Sequence, residues 1–445
     1  MLKPIKSNLE EKHHASFKSK SINKLAQASA TTNGIEKASK NSQAEVINNN
    51  LFSVDLDTGK VSDQMRSGRC WIFANVNVLK EAFIKKTNID DKDFELSQTY
   101  LYFYDKYEKA NYFYNNILKT AHLSLGSREV MFLLDSPQED GGQWDMIVSI
   151  VKKYGVLPKS VMPDTANSKN SDQLDTYLNE KLRKDAECLR VMVEEGKSKE
   201  DIQTQVNDYL NEVYRILAIS LGEPPKRFDF SYRDKDNEYK AYYDLTPLSF
   251  YKKFINVPLD DYVSIINAPT NNKPLNKTFT VDMLGNVIGG NPVKYLNVEM
   301  ETLKSLAIKQ LKDGESVWFG CDVGQRFDSK SGLMSLDTYR LNELFDMDFT
   351  STKKHRLEYG TSLLTHAMVL TGVDLKDDKP MKWKVQNSWG EKVGNKGYYV
   401  ATDSWMDEYT LQVVINKKHM SEELLTIWET DPVVLPAWDP MGSLA

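Results

Sequence analysis

The chain has 445 residues, of which 40% are hydrophobic and 27% are charged, and its formal net charge is -6. This length exceeds one ordinary hydrophobic core and predicts two or three structural units, while the acidic balance argues against a nucleic-acid-binding or anionic-membrane-binding surface. No apolar run approaches the roughly 18 residues of a membrane span, and the start lacks the apolar core of a secretory signal. We therefore expect a cytoplasmic protein.

The cysteines give the same indication about the compartment. Three occur, far apart in the chain: Cys70, Cys188 and Cys321. An odd number at such spacing predicts neither a disulfide framework nor a zinc site, and it suits a reducing compartment where a thiol stays free.

In chain order, the first fifty residues carry eight lysines and four glutamates. Dispersed lysines of this kind are usually a solvated face, although the polar helical stretches around them also suit an arm that wraps another body. The next strong signal is a helix after Cys70. Its apolar positions recur at helical spacing and are Ile72, Val76, Leu79 and Phe83.

The character of the chain changes twice after that helix. Residues from about 165 to 310 begin with charged, periodic helical sequence that stops at Gly222–Pro225, and strands dominate after about residue 315. We expect a helical block inserted between a helix-rich half and a strand-rich half. The predicted units are 1–60 (N-terminal arm and lead-in), 61–164 (helical lobe with Cys70), 165–310 (helical insertion), 311–435 (β-rich lobe) and 436–445 (C-terminal tail).

Cys70 is a candidate nucleophile because of its place at a helix start. The turn Ser67-Gly68 precedes it, and the unpaired N–H groups and partial positive charge of a helix N-terminus stabilise a thiolate. The alternative interpretation is a small buried hydrophobic residue. The position alone does not decide between them.

A nucleophilic cysteine needs a base, and His366 is the candidate among six histidines. It interrupts the apolar strand LLTHAMVLTGV, where an imidazole is either a hydrogen-bonded core residue or a catalytic one. The other histidines are in polar or solvated stretches, except that the pattern does not exclude His122. They are His13, His14, His122, His355 and His419.

The next strand favours the catalytic interpretation of His366. The turn 374–380, centred near residue 377, predicts an antiparallel hairpin that puts His366 opposite residue 388, give or take one. Asn387 lies there, and its amide oxygen would fix the tautomer of the imidazole and leave the other ring nitrogen for the thiol. Trp389 follows and is predicted to shield that hydrogen bond from water.

Three segments resemble the Cys, His and Asn regions of papain-like cysteine peptidases: DQMRSGRCWIFA, THAMVLTG and VQNSWGEKVGNKGYY. Arg69 departs from the small residue usual before the cysteine, and 296 positions separate Cys70 from His366, against about 130–150 in papain-type enzymes. With SGRCW, the insertion, DGGQWDM and the ending AWDPMGSLA, the whole chain resembles the family of bleomycin hydrolase and bacterial aminopeptidase C.

This resemblance implies an α+β fold: a papain-like two-lobed core, with the cysteine in a helical lobe and the His and Asn in a β-barrel-like lobe, plus a large helical insertion. It implies a cysteine aminopeptidase in which Cys70 is the nucleophile, His366 the base and Asn387 its orienting partner. Gln64, six residues before the cysteine, would complete the oxyanion hole with the Cys70 N–H. The family assembles as a homohexamer, and the chemistry needs no metal or organic cofactor.

The resemblance also places the C-terminal tail in the active-site cleft, where the carboxylate of Ala445 meets the free α-ammonium of a peptide substrate. The alternative for the tail is a frayed end. Gly141-Gly142 either lets substrate backbone approach or makes a simple turn. Cys321 is expected to be a buried residue of the cleft wall.

Three other functions stay open on the sequence. The nearest is an endopeptidase of the same family, in which the tail does not occlude the cleft. The second is a Cys-dependent amidase or acyltransferase. The third is a nucleic-acid-binding relative, against which the net acidity argues.

Overall fold

The structure is a computed structural model that describes residues 4–91 and 93–443. Its helices are α1 (Ser7–Ser19), α2 (Ser21–Asn33), α3 (Ile35–Ser39), α4 (Ser42–Ile47), α5 (Cys70–Thr87), α6 (Gln98–Lys119), α7 (Arg128–Asp135), α8 (Trp144–Tyr154), α9 (Ala166–Lys169), α10 (Asp172–Glu194), α11 (Lys199–Leu221), α12 (Pro247–Phe254), α13 (Met300–Lys312), α14 (Leu341–Phe345), α15 (Lys353–Glu358), α16 (Asp403–Tyr409) and α17 (Glu422–Trp428). Its strands are β1 (Val54–Asp55), β2 (Phe228–Arg233), β3 (Tyr239–Leu245), β4 (Tyr262–Ile266), β5 (Lys277–Val281), β6 (Tyr295–Asn297), β7 (Val317–Cys321), β8 (Phe327–Asp328), β9 (Leu333–Met334), β10 (His366–Lys376), β11 (Lys379–Gln386), β12 (Tyr398–Thr402), β13 (Thr410–Asn416) and β14 (Val433–Leu435). The α+β class predicted from the sequence is confirmed.

One mixed sheet of twelve strands organises the described residues. Its order is β14-β5-β6-β4-β13-β7-β10-β11-β12-β9-β8, with β1 paired to β10. The centre of the sheet is antiparallel, since β10 pairs with β7 on one side and with β11 on the other. Strands β2 and β3 form a separate hairpin.

The helix α5 lies on β10 of this sheet and is buried on nearly every side. A helix that is apolar all round belongs in the interior of a protein, and Trp71, Ile72 and Phe73 at its start are fully buried. One hydrophobic core joins α5 to α6, α8, α10 and α11, and a second core lies against α13 and α16. The predicted amphipathic helix after Cys70 is therefore the element that connects the helical side of the molecule to the sheet.

Residues 165–310 contain the two long helices α10 and α11, which pack on α6. They also contain the β2–β3 hairpin and three strands of the main sheet, β4, β5 and β6. At the N-terminus, α1 and α2 have no buried residue. Across the described part of the chain, no helix has both the length and the apolar character that a bilayer crossing requires.

Candidate active site

Cys70 is the first residue of α5, and only 3% of its surface is exposed. The backbone N–H groups of Ala367, Trp71 and Cys70 itself lie near its sulfur and favour the thiolate. Burial raises the pKa of the thiol to about 11, and these three donors act in the opposite direction. The sulfur thus lies at the positive end of a helix dipole, in a place that water does not solvate.

Ala367 comes directly after His366, and its backbone N–H near the sulfur places the start of β10 beside Cys70. His366 is 4% exposed, and burial lowers the pKa of its imidazole to about 4. The described residues include all six histidines, and His366 is the buried one among them. His122, which the sequence pattern did not exclude, is exposed.

The predicted hairpin is confirmed, with Asp377 and Asp378 as its two turn residues. Both have positive φ, which fits the tight turn that matches the twist of antiparallel strands. The register Val369↔Gln386 brings the first residues of β10 level with the segment that follows β11, and that segment begins at Asn387.

The structure brings His366 and Asn387 into direct contact. The Nε2 atom of His366 lies 2.7 Å from Oδ1 of Asn387. An amide oxygen only accepts, so Nε2 carries the hydrogen and Nδ1 is the nitrogen free to take a proton from the thiol. The ring of Trp389 lies 4.9 Å from that of His366, centroid to centroid, and covers one side of the pair.

Gln64 joins the segment before α5 to the segment after β11. Its side-chain oxygen accepts from Ser388 Oγ at 2.5 Å, and its backbone N–H donates to Ser388 O at 2.8 Å. Its side-chain Nε2 donates one hydrogen to the Ser67 carbonyl at 2.6 Å. A side-chain amide has two N–H donors, so one remains for another acceptor.

Gly141 and Gly142 lie beside the start of α5. A Cβ atom on Gly142 would be 2.6 Å from the ring of Trp71, so only glycine fits this approach. The Gly141 carbonyl accepts from Lys109 Nζ at 2.6 Å. Packing against Trp71 therefore explains Gly142, and substrate contact by the two glycines stays a prediction.

The C-terminal tail is anchored along its whole described length. Strand β14 runs parallel to β5, and the buried carboxylate of Asp439 forms an ion pair with buried Lys273 at 2.8 Å. Tyr295 OH donates to the Met441 carbonyl at 3.1 Å. A frayed end does not make such contacts.

The last described residue of the tail joins two segments close to the candidate site. The Ser443 carbonyl accepts from Gln143 Nε2 at 2.8 Å, and Ser443 Oγ donates to the Leu364 carbonyl at 2.8 Å. Gln143 follows Gly142, and Leu364 is two residues before His366. Ala445, predicted to supply the carboxylate, lies outside the described residues.

Comparisons with known proteins give the family. The model of the Peptidase C1-like family matches residues 4–442. The chain belongs to the Peptidase C1-like family. The papain-like core and the cysteine peptidase class predicted from the sequence are confirmed.

Relatives of this C1-like peptidase match it over nearly its full length. The chain is 48% identical to aminopeptidase C of Streptococcus thermophilus, over 99% of each chain, and 52% identical to aminopeptidase C of Listeria innocua, over 94% of each. A crystal structure of PepW from Lactobacillus rhamnosis superposes with a TM-score of 0.98, at 51% identity and with all of both chains covered.

Sequence reasoning missed two buried ion pairs at the catalytic helix of this C1-like peptidase. Lys106 Nζ lies 2.9 Å from Asp140, whose carboxylate also accepts the Gly68 N–H at 2.9 Å. Arg69 pairs with Asp164 at 3.1 Å. The one signal was Arg69 itself, a charged residue at the position where the sequence analysis expected the small residue of papain-like peptidases, and no spacing rule pointed to its partner.

Proposed function

We propose that this chain is a cysteine aminopeptidase in which Cys70 attacks the carbonyl of the N-terminal residue of a peptide, with His366 as base and Asn387 as its orienting partner. The observation that carries the proposal is the 2.7 Å contact of His366 with Asn387, together with the packing of α5, which begins at Cys70, on β10, which begins at His366. The curated relatives named aminopeptidase C, 46–52% identical, support the reaction class.

The chemistry follows the usual order of acyl transfer by a thiol. Nδ1 of His366 takes the proton of Cys70, and the sulfur attacks the substrate carbonyl carbon. The oxyanion receives the Cys70 N–H and the free amide hydrogen of Gln64. His366 then protonates the departing amine, and water that gives its proton to the same histidine releases the acyl group from sulfur.

Burial has a definite consequence for the resting charges. It disfavours an isolated thiolate, raising the pKa of Cys70 to about 11, and an isolated imidazolium, lowering the pKa of His366 to about 4. A thiolate and an imidazolium formed together by one proton transfer carry no net charge, and each stabilises the other. We therefore infer that the two charges arise as a pair.

Replacing His366 by alanine tests this pairing. Without the imidazole the thiolate must form alone, so we expect alkylation of Cys70 by iodoacetamide near pH 7 to slow by roughly 100-fold or more. Because the pKa of the lone thiol is raised, the rate should increase roughly tenfold for each pH unit up to at least pH 9. The wild-type rate should stay nearly constant between pH 6 and 8.

His122→Ala is the matched control, because His122 is exposed. It should alkylate at the wild-type rate over the whole pH range. A His366→Ala protein that reacts at the wild-type rate near pH 7 would contradict the proposed pair.

The tail supports a requirement for a free N-terminus. Ser443 is held between Gln143 and Leu364, and two more residues reach at most about 7 Å further. A terminal carboxylate within that reach would attract an α-ammonium and reject an acylated amine. We propose that Ala445 supplies this carboxylate and that the two glycines bind substrate backbone.

We propose further that the protein assembles as a homohexamer in the cytoplasm. The N-terminal helices α1 and α2 bury none of their residues within the chain, although they carry large apolar side chains. The exposed ones of this arm are Ile5, Leu9, Phe17, Ile22 and Leu25. A partner surface that covers these side chains would remove this unfavourable exposure.

The proposed compartment rests on the cysteines. The reducing cytoplasm would keep the three free cysteines as thiols.

Light scattering coupled to size exclusion measures the assembly. For a 51.0 kDa chain, a closed hexamer should give a mass of roughly 300 kDa. Deleting residues through 33 should lower that mass, because it removes the two unburied helices. A full-length chain that elutes as a 51.0 kDa monomer would contradict the proposal.

A further inference from the structure

We propose that Arg69 is a positioning residue, which holds the oxyanion-binding amide of Gln64 in place through Ser67. The inference rests on the proposed function, in which Gln64 is an oxyanion donor. It adds a reason for the charged residue before Cys70, where the resembled peptidases usually have a small one.

The guanidinium of Arg69 is fully buried and fixed from several directions. Its Nη1 atom lies 3.1 Å from the Asp164 carboxylate, and that carboxylate also accepts from Thr99 Oγ1 at 2.8 Å. The rings of Phe73 and Tyr102 lie 5.2 and 5.6 Å from its Cζ atom. A buried guanidinium is stable only when its charge is paired, so Asp164 determines where the fork points.

A second nitrogen of that fork, Nε, reaches the segment before α5. Arg69 Nε donates to Ser67 Oγ at 2.9 Å. Because a guanidinium can only donate, the single hydroxyl hydrogen of Ser67 must go elsewhere. It goes to the backbone carbonyl of Gln64, at 2.7 Å.

The side chain of Gln64 closes the arrangement. Its Nε2 donates to the backbone carbonyl of Ser67 at 2.6 Å. Both the backbone and the amide of Gln64 are thus tied to Ser67, and Ser67 is tied to Arg69. The chain of contacts runs from Asp164 through Arg69 and Ser67 to Gln64.

The start of α5 shows why these contacts are needed to hold the segment before Cys70. Helix N-termini are commonly fixed by a side chain that accepts from the first N–H groups. The cap residue of α5 is Arg69, and no side-chain cap hydrogen bond is present there. The bonds of Arg69 and Ser67 therefore fix the segment that a cap would otherwise fix.

The variant Ser67→Ala tests the inference, because it removes the connection and no charge. We expect kcat for a free-amine aminoacyl substrate to fall about tenfold, with KM changed less than twofold. Binding of an amino aldehyde, whose adduct with Cys70 carries an oxyanion, should weaken by a similar factor. Alkylation of Cys70 by iodoacetamide, which forms no oxyanion, should stay within twofold of wild type.

Two further variants isolate the path through Gln64. Gln64→Ala should lower kcat by roughly 10²–10³-fold, and adding Ser67→Ala to it should cost less than a further twofold. Arg69→Lys keeps a charge beside Asp164 but lacks the planar fork, so it should repeat the Ser67→Ala pattern. It also tests the inference independently if Ser67→Ala folds poorly. Ser62→Ala is the matched control, since the buried Ser62 hydroxyl has no hydrogen-bond partner in the described part of the chain.

The inference is overturned if Ser67→Ala and Arg69→Lys keep full kcat. It is also overturned if Ser67→Ala lowers kcat by the same factor in the wild-type and Gln64→Ala backgrounds, or if the alkylation of Cys70 slows in parallel with kcat. Unchanged activity of Gln64→Ala is a different result. It would remove the proposed oxyanion role of Gln64, and with it the reason for the relay.

Discussion

Replacing Cys70 by alanine should lower kcat/KM on free-amine peptides by roughly 10⁴-fold or more, to a level near the limit of detection. No other described side chain can replace the sulfur, because Cys70 alone meets the start of α5, the Ala367 N–H and the neighbouring His366. Steady-state assays with an aminoacyl fluorogenic substrate measure the loss.

The controls for this variant are the other two cysteines. Cys188 lies in α10, and Cys321 is buried in β7 opposite His366. Cys188→Ala should keep wild-type activity, and Cys321→Ala should remain an active, alkylatable enzyme. A Cys70→Ala protein with an unchanged circular dichroism spectrum and retained peptidase activity would exclude Cys70 as the nucleophile.

Removing residues 443–445 should change which substrates are cleaved. We expect kcat/KM for a free-amine substrate to fall about 10–100-fold, since a charge-assisted hydrogen bond to the α-ammonium is typically worth ~1.5–3 kcal/mol. Cleavage of the N-acetylated version should rise, because the new terminal carboxylate, on Gly442, lies up to about 10 Å farther back along the chain. The ratio of the two rates in one assay series is the measurement.

The matched control is Val434→Ser, which lies in strand β14 directly before the tail, is 64% exposed and leaves the terminus intact. It should keep the wild-type preference for free amines. A full-length enzyme that cleaves the acetylated substrate faster would favour the endopeptidase alternative. Products formed with added amine nucleophiles would indicate an acyltransferase.

The sequence predicted the hairpin that positions His366 closely, for a local reason. The position of the turn determines which residues of the two strands face each other. A turn centred at residue 377 predicted that the residue numbers of each facing pair would add up to about 754. The observed turn uses Asp377 and Asp378, so Lys376 pairs with Lys379. Irregularities after Leu370 and Asp374 shift the register by one residue and back, and a bulge of this kind leaves no clear mark in the alternation of side chains.

The ion pairs around the site could not be predicted in the same way. Arg69 meets a carboxylate 95 positions away, and Lys273 meets one 166 positions away. The periodicity of a sequence shows which face of a helix or strand is apolar. It does not show which buried charges come together when two distant segments pack. The same limit applies to Asp140, whose bond to the Gly68 N–H spans 72 positions.

The position of Ser443 has a practical consequence for anyone who produces this protein. Its bonds to Gln143 and Leu364 hold Ser443 beside the segments that carry Gly142 and His366. If the proposed role of the tail is right, a purification tag fused to the C-terminus would enter the substrate site, mask the proposed terminal carboxylate and give a misleading substrate profile. Affinity tags therefore belong at the other end, with a protease-removable linker, and mass spectrometry should verify an intact last residue before any specificity is measured.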